Sequence, residues 1–191
     1  MDIYGIIINY LNINEHIKFR YLSKEINKYY DLELPLEHYV CDKINENFLL
    51  KYKCSLNYLQ SNNKIINDNL LCNFKNLKKI YLPHDVKITD EGLKYLSGIH
   101  TLDLSCNENI TDEGLKYLSG INTLDLYLNY KITDEGLKYL SGIHTLYLNC
   151  NKKITDEGLK YLSGIHTLYL YCNENITDEG LKYLSGIHTL N

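Results

Sequence analysis

The chain has 191 residues, 45% hydrophobic and 23% charged, with 20 basic and 24 acidic groups and a formal net charge of −4. The length suits one ordinary domain or one small domain joined to a repeat array; the composition is that of a globular chain and not a disordered one, and the charge balance gives no basic footprint that would point to nucleic acid. No run of 18 apolar residues occurs, so no helix is expected to span a membrane.

Charge is uneven along the chain. Residues 1–87 carry 12 basic and 10 acidic groups (+2), and residues 88–191 carry 8 and 14 (−6). The N-terminus opens Met1-Asp2 without a basic stretch, and Ile6-Ile7-Ile8 is too short for the apolar core of a signal peptide. The expectation is a cytoplasmic protein whose six cysteines, at 41, 54, 72, 106, 150 and 172, are thiols. There is no Ala, no Trp and a single Arg (Arg20), against 22 Asn and 19 Tyr. Asn, Ile, Lys and Tyr use AT-rich codons, so the composition suggests an AT-rich protist or a large DNA virus, with the host cytoplasm as the location in the viral case.

In chain order, residues 3–30 have helical periodicity. Ile7, Ile8 and Leu11 form one apolar side and Ile17, Tyr21 and Leu22 another, with a polar break at 12–15. Asn14 and Ser23 are placed to cap a second and a third helix. After Pro35, residues 36–52 predict an amphipathic helix through Leu36, Val40, Ile44 and Phe48. Read from these residues alone, the segment caps the open first coil of a repeat array.

The string Ile-Thr-Asp-Glu-Gly-Leu-Lys-Tyr-Leu-Ser-Gly-Ile starts at Ile88, Ile110, Ile132, Ile154 and Ile176, every step being 22 residues. Four units are complete (88–109, 110–131, 132–153 and 154–175) and a partial one covers 176–191. A degenerate copy at 66–87 keeps the phase through Ile66, Asp68, Leu71, Phe74, Leu77, Ile80, Leu82 and Asp85. Within a unit, Leu102 and Leu104 alternate with Thr101, Asp103 and Ser105, which predicts a short strand with one buried face. Thr89 followed by Asp90-Glu91 predicts a capped helix start, Leu93 and Leu96 its buried side, and Gly98 its stop. One strand and one short helix cannot enclose a core alone. Stacked coils can, through Leu93, Leu96, Ile99, Leu102, Leu104 and Ile110 and their equivalents. Asn107, Asn129, Asn151 and Asn173 recur where the chain leaves each strand and are expected to satisfy backbone groups of adjacent coils.

Sixteen of the 22 unit positions are identical in the four complete copies. The six variable ones include the two outward strand positions, occupied by Asp103, Asp125, Tyr147 and Tyr169 and by Ser105, Tyr127, Asn149 and Tyr171. A fixed scaffold with one diversified face is the pattern of a binding surface; duplication followed by drift at exposed sites is the alternative. Five or six strands spaced roughly 4.8 Å apart, with three to five residues at about 3.3 Å, give a face of a few hundred Å². That is below the roughly 800 Å² per partner of a standard interface. A partner therefore uses the rim loops as well, is a short peptide, or binds weakly, with Tyr127, Tyr147, Tyr169 and Tyr171 as the expected anchors.

Other chemistry is not encoded. His100, His144, His166 and His188 form a column broken by Asn122, which reads as an exposed structural row, and no metal or cofactor is expected. Asp103 and Asp125 lie side by side, but on an open sheet they are expected to keep ordinary carboxylate behaviour. Tyr95, Tyr117, Tyr139, Tyr161 and Tyr183 read as packing between helices. No nucleophile elbow, dinucleotide loop, Walker loop or zinc-protease motif is present, so no enzymatic activity is expected.

The pattern Ile99-x-x-Leu102-x-Leu104-x-x-Asn107-x-x-Ile110-Thr-Asp-Glu-Gly-Leu115 resembles the leucine-rich repeat, in the cysteine-containing subtype typical of F-box/leucine-rich-repeat proteins. That subtype has Cys where Asn107 and its equivalents stand; here Cys106, Cys150 and Cys172 come one place earlier. Ile7-Ile8-Asn9-Tyr10-Leu11-Asn12, then Ile17 and Leu22-Ser23-Lys24-Glu25-Ile26, resembles an F-box without its opening Leu-Pro and with Ile26 in place of its Trp. The resemblance implies an α/β leucine-rich-repeat solenoid, with a parallel concave sheet and short convex helices, preceded by a small all-α F-box-like segment. Residues 1–35 would be that segment, 36–65 a helical linker or cap, and 66–191 the array. It further implies a substrate-recognition subunit of a cullin–RING ubiquitin ligase. Ile7, Ile8, Leu11, Ile17, Leu22 and Ile26 would dock the Skp-type adaptor, and Asp103, Ser105, Asp125, Tyr127, Tyr147, Asn149, Tyr169 and Tyr171 would hold an unknown protein or peptide target. Neither nucleic acid nor membrane is an expected partner. The alternative is a stand-alone repeat scaffold whose helices only cap the array.

Overall fold

A computed structural model describes residues 50, 58–60, 65–82, 84 and 86–191, all within one compact unit of the chain. The F-box-like segment, its six proposed adaptor residues and the helix expected at 36–52, apart from residue 50, lie outside the described residues.

The described residues contain one parallel sheet of seven strands in sequence order: β1 (Tyr58–Gln60), β2 (Lys79–Tyr81), β3 (Thr101–Asp103), β4 (Thr123–Asp125), β5 (Thr145–Tyr147), β6 (Thr167–Tyr169) and β7 (Thr189–Leu190). From β2 onward the register advances by one repeat per strand, pairing Thr101 with Thr123, Thr145 and so on. The first step is one residue shorter, Leu59 opposite Ile80, and lies ahead of Ile66, where the repeat phase can no longer be followed. The unit is a leucine-rich-repeat solenoid, as its periodicity predicts.

β2 to β6 each return through a helix of one turn, such as Asp90–Leu93, continued by a tighter 3-10 turn such as Lys94–Leu96. Thr89 caps the helix by accepting the Glu91 N–H, and the same cap recurs at Thr111, Thr133, Thr155 and Thr177. A 22-residue period leaves too little chain for a longer helix, so the crossover tightens instead. Gly98 stops it at φ +80°, a conformation that a Cβ disfavours.

The interior is the set expected from the pattern. Leu115, Leu118, Ile121, Leu124, Leu126 and Ile132 are buried, and their equivalents in neighbouring coils form one continuous apolar column. Asn129 donates its side-chain N–H to the Leu104 carbonyl (2.9 Å), Asn151 to that of Leu126 (2.9 Å) and Asn173 to that of Leu148 (2.8 Å). Each of these carbonyls also accepts a backbone N–H of its own turn, from Asn107, Asn129 and Asn151, so the amide supplies a second donor that ties the turn to the next coil.

A second ladder joins the coils on the helix side. Asp90 accepts both the backbone N–H (2.9 Å) and the hydroxyl (2.6 Å) of Thr111, and Asp68, Asp112, Asp134 and Asp156 do the same for Thr89, Thr133, Thr155 and Thr177. Asp156 is held below its ordinary pKa, first by the Thr177 hydroxyl and then by backbone N–H groups. The carboxylate approaches so closely that a Cβ on Gly114 would lie 2.3 Å from Asp90 Oδ1, which accounts for glycine at this place in the five units from residue 88 onward.

Candidate functional site

Because strand side chains alternate, position 103 and its equivalents project from the sheet face opposite the helices. The register aligns Tyr81, Asp103, Asp125, Tyr147 and Tyr169 into one row across β2 to β6. Two carboxylates thus lie between tyrosines on both sides. Tyr81 stands outside the identical units, and its 22-residue distance from Asp103 is the sequence signal that places it in this row.

Each aspartate braces its own turn: Asp103 Oδ1 accepts the Ser105 N–H (2.9 Å) and Asp125 Oδ1 that of Tyr127 (2.8 Å). The expectation that an open sheet leaves both with ordinary carboxylate behaviour is corrected for Asp125. Burial among the neighbouring strands pushes its pKa up to about 6, the Asp103 carboxylate adds to the rise, and the Tyr127 N–H and His84 oppose it. The alternation of a single strand carries no sign of this burial, which exists only once neighbouring strands are in place.

Tyr147 and Tyr169 stack with ring centroids 4.4 Å apart and planes 7° from parallel. Burial, then Tyr169 and then the Asp125 carboxylate, raise the Tyr147 phenol above its ordinary value. In the next row Tyr127 and Tyr171 are exposed, Tyr171 most of all at 69%. Asn149 Oδ1 accepts the Tyr171 N–H across the coil boundary (2.8 Å). Ser105 is only 9% exposed and offers a partner little surface.

The histidine column closes up where Asn122 no longer interrupts it. His144, His166 and His188 stack at 4.4 and 4.5 Å, each Nδ1 within hydrogen-bond distance of the following Thr hydroxyl. Burial, then His144 and His188 on either side, lowers the His166 pKa. Among the described residues no three His, Cys, Asp or Glu side chains converge as metal ligands. Nor is any helix of those residues long and apolar enough to cross a membrane.

The Tyr95 column, expected as helix packing, is half-buried at Tyr117 and Tyr139 and exposed at Tyr95 (49%), Tyr161 and Tyr183. Lys94 reaches over the Tyr117 ring of the next coil at 5.8 Å and Lys160 over Tyr183 at 5.5 Å. Exposed Glu–Lys pairs such as Glu113 and Lys116 (2.8 Å) line the same side. This surface is the same in the five units from residue 88 onward and carries none of the variation of the sheet face.

The family model described as Leucine Rich repeat matches residues 99–119, 143–163 and 165–185. No curated protein matches by sequence. Among solved structures, a chain of the complex of Rad7 and Elc1 in yeast is similar, with a TM-score of 0.54 and 15% identity over 78% of this chain and 52% of that one. A chain of the Toll–Spatzle complex of Drosophila gives a TM-score of 0.51 and 16% identity over 68% of this chain and 19% of that one. A chain of the TLR13–ssRNA13 complex gives 0.54 and 17% over 76% and 26%. This chain therefore spans about half the length of the first of these and about a fifth and a quarter of the other two. At such identities the likeness concerns the fold, and with the three matched segments it makes the repeats of this chain leucine-rich repeats.

Proposed function

We propose that the protein is a substrate-recognition subunit of a cullin–RING ubiquitin ligase, in which the repeats hold a target protein and the N-terminal segment docks a Skp-type adaptor. What supports the target-binding half is a single observation: the positions that vary between otherwise identical coils cluster on the sheet face, in the Tyr81–Asp103–Asp125–Tyr147–Tyr169 row and the adjoining Tyr127 and Tyr171. Two neighbouring carboxylates bordered by phenol rings suit an Arg or Lys side chain, which pairs with the acids while its charge meets the aromatic faces. The partner is then an extended, basic segment of a protein, laid across the strands. The −6 charge of residues 88–191 favours the same partner and disfavours nucleic acid. The chain itself performs no chemistry in this reading and acts by raising effective concentration.

The adaptor half rests on the F-box resemblance of residues 7–26 and on a similar fold in a structure that pairs Rad7 with Elc1. Co-purification of the full chain with a purified Skp-type adaptor tests it. Binding that Leu11→Asp abolishes, with the repeat fold unchanged by circular dichroism, is the expected result. No binding by the folded chain would leave the second reading, a stand-alone interaction scaffold, which the missing Leu-Pro favours.

A further inference from the structure

We propose that Cys150 and Cys172 form a reversible inter-coil disulfide, made by exchange with a low-molecular-weight disulfide such as glutathione disulfide. The two residues hold the same place in successive coils, immediately after Asn149 and Tyr171. Both adopt left-handed backbone conformations, φ 62° and 61°, so their side chains leave the chain in the same direction. The coils are tied at that level by the Cys150 N–H donating to the Tyr171 carbonyl at 2.8 Å. Neighbouring strands lie roughly 4.8 Å apart, inside the roughly 4.4–6.8 Å Cα separation that a disulfide spans. Burial and the adjacent Cys172 thiol raise the Cys150 pKa, the signature of two sulfurs side by side.

The same row gives an internal control. It reads His84, Cys106, Leu128, Cys150, Cys172, so Cys106 has no cysteine in either neighbouring coil. Cys72 is placed elsewhere, just after the helix Asp68–Leu71. Among the described residues only Cys150 and Cys172 are paired by the repeat.

Exposure sets the order of events. Cys172 is exposed and Cys150 half-buried. The Cys172 thiolate attacks one sulfur of glutathione disulfide, which forms a mixed disulfide and expels one glutathione thiolate. Cys150 then loses its proton to solvent and attacks the Cys172 sulfur, which expels the second glutathione. Two protein thiols are oxidised and one glutathione disulfide is reduced to two glutathiones. The bond would lock the rim from which Tyr171 projects, beside the sheet face assigned to the target.

The full chain is equilibrated in glutathione redox buffers, the remaining thiols are alkylated, and the product is digested with trypsin. Lys152, Lys153 and Lys160 lie between the two cysteines, so peptides 139–152 and 161–182 separate unless their sulfurs are joined. The expected product is those two peptides linked, lighter by about 2 Da than the sum of the thiols, and released by reductant. Cys150→Ser is expected to leave Cys172 trapped as the glutathione mixed disulfide. A persistent mixed disulfide at Cys172 in the unmutated chain, or Cys150 joined to any other cysteine, would overturn the proposal.

Discussion

Asp112 accepts two hydrogen bonds from Thr133 in the next coil, from its backbone N–H at 2.8 Å and its hydroxyl at 2.6 Å. Thr133 in turn caps the following helix by accepting the Glu135 N–H. One carboxylate therefore fixes both the spacing of two coils and the start of a helix. Removing it strands two donors, at a cost of about 1–3 kcal/mol. Asp112→Ala is expected to lower the unfolding free energy measured in urea by that amount, while Glu113→Ala, which loses only an exposed ion pair with Lys116, is expected to leave the urea midpoint nearly unchanged. Equal losses would contradict the ladder.

The glycine beside this bond gives a coupled test. A Cβ on Gly136 would sit 2.4 Å from Asp112 Oδ1. Gly136→Ala is expected to destabilise the chain, and less so when Asp112 is already Ala, with a coupling of about 0.5–3 kcal/mol in the double-mutant cycle. Strict additivity would show that the two residues do not press on each other.

Leu128 occupies a left-handed conformation, φ 60°, in the position held by cysteine in the other complete units. A branched side chain there costs on the order of 1 kcal/mol, and Asn tolerates the conformation better. Leu128→Asn is expected to hold or raise the melting temperature, in contrast to the fully buried Leu126, where Leu126→Ala costs about 2–5 kcal/mol. A loss at Leu128 comparable to that at Leu126 would mean that its packing outweighs the strain.

The coil was legible in the sequence because its determinants are local and repeated: the Leu102 and Leu104 alternation, the Thr89 cap and the Gly98 stop each act within a few residues. Two things were not legible. The Asp–Thr clamp joins residues 21 apart, and within one unit Asp90 reads only as an acid favoured at a helix start. The raised pKa of Asp125 depends on neighbours in other strands, which enclose it only once the register sets Asp103 and Tyr147 on either side.

That shift sets a pH dependence. The folded-state pKa of Asp125, about 6, lies above the roughly 3.9 of an unfolded aspartate. The folded state holds the proton more tightly, so this contribution to stability is full below about pH 4 and is lost as pH rises through 6. Asp125→Asn is expected to gain stability relative to the parent over that window, with no further change above it. A carboxyl titration followed by NMR would show the midpoint directly, and one near 4 would contradict the enclosure of Asp125.

The sheet-face account is tested most directly by selecting a displayed random peptide library against the full chain at pH 7 and pH 5. The predicted result is enrichment of peptides with Arg or Lys, weaker at pH 5 where Asp125 is protonated, and lost in the Asp103→Asn/Asp125→Asn double variant, which keeps the turn-bracing oxygens. Enrichment of acidic or uncharged peptides, or identical selection by the double variant, would contradict it.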